Sequence, residues 1–98
     1  MEKQPLPPHQ KDGTGGTKTV TLADLSDKKV ICKTFVPGDK MAPHFAPTDV
    51  FVLLLDGQMD ISLAEETIRF VAGDYVVIPA NMTHSLACME TARLLIYR

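Results

Sequence analysis

Gly73-Asp-Tyr-Val-Val-Ile-Pro79-Ala-Asn81-Met-Thr-His84 is the stretch whose reading decides the fold. Ala72-Gly73-Asp74 reads as a turn and residues 75–78 as a short strand of β-formers. Pro79 stops that strand, because proline has no N–H to give to a ladder. An earlier stretch has the same design: Gly38-Asp-Lys-Met-Ala-Pro-His44-Phe-Ala46, continuing through Val50 to Gly57. Each places one histidine on a strand beside a glycine turn, at positions 44 and 84. Two such units suit a small antiparallel β-barrel with an interior site.

Outward from these units the signal is strand after strand. Residues 17–22 and 29–36 are rich in Val, Thr, Ile and Phe, with 24–28 as the turn between them, and Pro37-Gly38 breaks the chain. Residues 50–55 are six apolar residues in a row, and Asp56-Gly57 after them predicts a hairpin turn. Further strands are expected at 59–63, 67–71, 75–78, 83–88 and 92–97. About eight short strands with frequent turns define an all-β sandwich or barrel. No stretch keeps a helical period.

Ninety-eight residues make one domain. Residues 1–16 hold three of the seven prolines and three of the six glycines, so a flexible N-terminal tail is expected there and the barrel over 17–98. His9 is expected to be solvated. Gly13-Thr-Gly-Gly-Thr-Lys18 lacks the spacing of a phosphate loop, and no strand precedes it. A net charge of −2 gives no footprint for nucleic acid. No run is long and apolar enough to span a membrane, and the start lacks the apolar stretch of a secretory signal. Cys32 and Cys88 make no disulfide framework. The expectation is a cytoplasmic protein.

Alternate strand residues face one side, so His44, Ala46, Val50 and Val52 share a parity if the backbone stays extended, and His84, Leu86 and Cys88 share another. Both sets facing inward would line one pocket. The two segments resemble the paired motifs of the cupin family. In the first motif Gly38, His44 and Gly57 match, while Ala46 replaces a second histidine and Val50 a glutamate. In the second, Gly73, Pro79 and His84 match, with Asn81 at a glycine position and Cys88 at an asparagine. Asn81 costs little there, since asparagine tolerates a left-handed backbone.

The resemblance covers roughly residues 19–98 and implies a jelly-roll barrel, also described as a double-stranded β-helix, often dimeric, with a metal held by three histidines and a glutamate. Only His44 and His84 carry over as ligands. Alanine and valine offer no lone pair, so the expected role is a small organic ligand bound in the barrel beside a lost or incomplete metal site, with no cofactor. Binding rather than catalysis is expected.

The alternative is a metal-dependent oxygenase or isomerase using iron, zinc, nickel or manganese. It needs a third ligand: Asp49, if a bulge turns it inward, or the Cys88 thiolate. A third reading is an interaction module whose barrel is filled by side chains. Phe51, Leu53 and Leu55 fall on the outer face of a strand whose inner face is also apolar. Covering them predicts a homodimer, with Ile61, Leu95 or the N-terminal segment contributing.

Overall fold

Seven antiparallel strands form among the described residues, 2–10 and 16–98 of this computed structural model. They are β1 (Lys18–Leu25), β2 (Lys28–Phe35), β3 (Lys40–His44), β4 (Val50–Leu63), β5 (Glu66–Val71), β6 (Tyr75–Ile78) and β7 (His84–Tyr97). The 14-residue strands β4 and β7 pair with each other along most of their length and organise the rest. The first half of β4 pairs with β6 and its second half with β5. The first half of β7 pairs with β3 and its second half with β2, which carries β1 at the edge. Two half-sheets thus share two long strands, which is the double-stranded β-helix.

The chain therefore departs from the expected eight runs. Residues 50–55 and 59–63 are one strand, as are 83–88 and 92–97, and β3 forms around His44. Asp56-Gly57 does not reverse the chain. Gly57 takes φ +85°, and the β4–β7 register slips between Leu54 and Met59, so its left-handed backbone makes a bulge instead of a hairpin turn. The Asp56 carboxylate accepts from the backbone N–H of Arg93 at 2.9 Å and from its guanidinium at 2.9 and 2.7 Å. These bonds pin the bend of β4 to β7.

Alternation then sorts the side chains. Val50, Val52 and Leu54 from one half of β4 meet Met59 and Ile61 from the other, together with Phe35, Leu86, Leu94 and Ile96. Met59 is fully buried mid-strand. Two turns share one device. Asp39 and Asp74 each follow a glycine of positive φ and accept from the amide three residues back, Val36 at 3.0 Å and Val71 at 2.9 Å.

The outer face of the β1-β2-β7-β4-β6 layer is apolar. Residues directly opposite in an antiparallel pair share a face, so Val77, Phe51, Tyr97 and Val30 form one row, and Tyr75, Leu53, Leu95, Cys32 and Val20 the next. Tyr75 and Tyr97 thus point outward, Tyr75 with its ring 5.6 Å from that of Phe51. Residues 2–10 cross the neighbouring row. Pro7 O accepts from Arg93, His9 pairs with Asp56 at 2.8 Å, and Gln10 donates to Thr34 O at 2.7 Å. His9 is a partner of Asp56 rather than a purely solvated side chain. Positions 13–15 of the glycine-rich stretch lie outside the described residues.

Candidate functional site

β3 runs antiparallel to the start of β7 in a register that sets His44 opposite His84. The two rings meet edge to face, centroids 4.1 Å apart and planes inclined by 61°. Each ring is held by its own strand entry: His44 Nδ1 lies 3.0 Å from Ala42 O, and His84 Nδ1 lies 3.1 Å from Met82 O. A carbonyl only accepts, so each Nδ1 donates. In the neutral ring that leaves Nε2 as a bare acceptor on both histidines.

Behind this pair lies a cavity of about 180 Å³. His44, Ala46, Val50, Val52, His84 and Leu86 all line it. Phe45, Ala46 and Pro47 belong to the lining, and Asn81 N donates to Ala46 O at 2.8 Å, tying their loop to the 79–82 turn. Asn81 takes φ +66°, the left-handed conformation that lets it stand where the family has glycine. Ser85 is a further polar group on the lining, and Phe45 is exposed at the opening.

Two expected residues lie elsewhere. Cys88 belongs to the closed core, not to the cavity lining. Its Sγ donates to Glu90 O at 2.9 Å, and burial, helped by nearby Asp39, pushes the thiol up to about 11. Away from the cavity lining, Cys88 does not converge with His44 and His84. Asp49 is exposed and accepts from the Ala80 amide at 2.9 Å, tying the 45–49 loop to the following turn. No bulge brings it inward, because this bond already fixes its direction. Among the described residues no group of three His, Cys, Asp or Glu converges as a metal site. Two imidazoles beside Ala46 and Val50 do not fit the four-ligand set that the family resemblance implies.

Sequence reasoning missed Lys33. It sits on β2 between Ile31 and Phe35, opposite inward-facing Leu94, and lines the same cavity as the histidines. Its Nζ lies 3.9 Å from the Met41 thioether. Burial, reinforced by Arg98, lowers its pKa from the usual lysine value. The signal was its parity with Ile31 and Phe35, a lysine at an inward position.

A short antiparallel barrel of two half-sheets on shared long strands, open at one end onto a histidine pair, defines the class. The cupin domain model matches residues 33–97, and the chain belongs to that family. It is similar to a cupin superfamily protein of Desulfitobacterium hafniense DCB-2, at 20% identity over 99% of this chain and 91% of that one, with TM-score 0.86. A conserved protein of unknown function from Streptococcus pyogenes, SPY1581, is 26% identical over 86% of this chain and 74% of that one, with TM-score 0.79. KdgF from Halomonas sp. is 22% identical over 92% and 84% respectively, with TM-score 0.78. No curated protein matches the chain.

Proposed function

We propose that this protein binds a small organic molecule in its barrel, with His44 and His84 as the polar anchors, and that it works as a homodimer. The observation that carries the reading is the edge-to-face pair with both Nδ1 atoms committed, set on a cavity walled mostly by apolar side chains such as Val50, Val52 and Leu86. An apolar pocket with a few convergent polar groups is the usual composition of a small-molecule site. A cavity of about 180 Å³ also speaks against an interaction module with a filled barrel.

The test is a thermal-shift screen of a metabolite panel on metal-analysed protein, repeated with His84→Ala. Stabilisation by one compound, weakened in the variant and seen without bound metal, supports the reading. Stoichiometric zinc, iron, nickel or manganese that disappears in His84→Ala would replace it with the metal-dependent enzyme. For the dimer, the support is the apolar outer face, and the test is the mass in solution.

A further inference from the structure

The inner wall of the barrel carries a cation that forms no ion pair among the described residues. Lys33 faces inward on β2 and lines the cavity. It belongs to none of the ion pairs among the described residues, which join His9 and Arg93 to Asp56 and Arg69 to Asp60. The side chain of Arg98, a residue that is also on the lining, is a second cation. Asp39 and Asp49, the acidic residues flanking β3 and its loop, are held by backbone amides. A half-buried ammonium whose acceptor is a thioether, a weak one, has given up part of its water for little in return. Such a group is a ready partner for a carboxylate, since bonds between ionised groups are roughly twice as strong as neutral ones.

Size and wall chemistry narrow the class further. A dry cavity of about 150 Å³ accommodates a benzene-sized body, and this one measures about 180 Å³. Val50, Val52, Ile61, Ile78, Leu94 and Ile96 would surround such a body with aliphatic surface. An inorganic anion would leave these walls unfilled, and a sugar would leave its hydroxyls unpaired against them.

We propose that the cavity takes a small monocarboxylate with a compact apolar body of about six to eight carbons, its carboxylate paired with Lys33. This rests on the reading of the barrel as a ligand site and adds the sign of the ligand's charge and the residue that reads it.

Calorimetric titration with benzoate and hexanoate, each against its neutral isostere, benzamide and hexanamide, tests it. Inorganic phosphate serves as a bare-anion control. The wild-type protein should bind each carboxylate at least tenfold tighter than its amide and bind phosphate more weakly than either carboxylate. Lys33→Met should bring carboxylate and amide within about threefold of one another while leaving amide binding in place. Lys33→Arg should keep the preference for the anion. Equal wild-type affinity for acid and amide, or a preference that survives Lys33→Met, would overturn the assignment of Lys33 while leaving the pocket intact. Failure of all four organic probes to bind would overturn the pocket reading, and this inference with it. Methionine at position 33 adds no buried charge, and the circular dichroism spectrum of each variant checks its fold.

Discussion

At the scale of single residues, the two cysteines give a direct check on burial. Burial comes first among the causes that raise both thiols, and Cys88 is pushed up to about 11. At pH 8 ionisation alone should slow its reaction with a disulfide reagent about a hundredfold relative to a thiol of pKa 9, before steric protection is counted. A colorimetric thiol assay should register both cysteines in denaturant and almost no early reaction in native protein. The sign for stability follows. A thiol whose folded pKa is raised keeps its full contribution below the unfolded value near 9 and loses it as pH climbs toward the folded value. The same scale shows what the sequence made legible. Strand parity accounts for Val50 with Val52 and for His84 with Leu86 on the cavity lining, whereas Ala46 reaches it from the 45–49 loop, where the extended backbone expected between His44 and Val50 is not kept. Cys88 shares the parity of His84 and Leu86 but lies one step deeper, beyond the cavity floor, and parity carries no depth. Lys33 escaped because Cys32 and Thr34 on either side of it are as buried as Ile31 and Phe35, which hides the alternation of β2.

At the scale of elements, the bend in β4 is the feature that local sequence misreads. Asp-Gly followed by a second apolar run is a hairpin signal, yet tertiary pairing with β7 keeps the chain going forward. Two substitutions probe this bend. A Cβ at Gly57 would stand 2.6 Å from the Ala92 Cβ and also crowd Thr91 O, at a backbone φ of +85°. Gly57→Ala should therefore cost about 1–3 kcal/mol from the backbone conformation alone and more from the clash, lowering the melting temperature by at least roughly 5 °C. Asp56→Asn removes the charge that Arg93 and His9 share. It should cost about 1–3 kcal/mol in urea denaturation at pH 7. Burial alone would raise the Asp56 carboxyl, but its hydrogen bonds from Arg93 and His9 outweigh that and hold it below the ordinary carboxylate value. Its stabilisation is thus complete above the unfolded carboxylate pKa of about 4 and lost as pH falls through the folded value. The gap between wild type and Asp56→Asn should close in acid; a gap that stays constant down to the acid transition would contradict this account.

At the scale of the whole molecule, the outer layer decides whether the barrel stands alone. A face this apolar costs a monomer solubility unless something covers it. Residues 2–10 cover the row through Asp56, Arg93 and Thr34, while in the next two rows Tyr75 is 67% and Val77 52% exposed and Phe51, Leu53 and Leu95 are half-buried. Phe51, Leu53 and Leu95 are already half-buried, so covering each is worth less than the about 1.5–3 kcal/mol of a side chain buried from full exposure. Association itself costs ~4–15 kcal/mol. One trio is therefore marginal, and both rows across five strands are needed to favour a dimer. Light scattering after size exclusion should give twice the 10.8 kDa chain mass at micromolar concentration. Leu53→Glu puts a carboxylate in the middle of the second row and should yield monomers or insoluble protein. Val77→Lys is the cleaner variant, because a half-exposed edge position tolerates lysine in a lone barrel and loses only the contact with a second copy. Val77→Lys should fold, melt cooperatively and run as a monomer. Wild-type protein at the mass of one chain, or Val77→Lys at the mass of two, would assign the cover of this face to something other than a second copy.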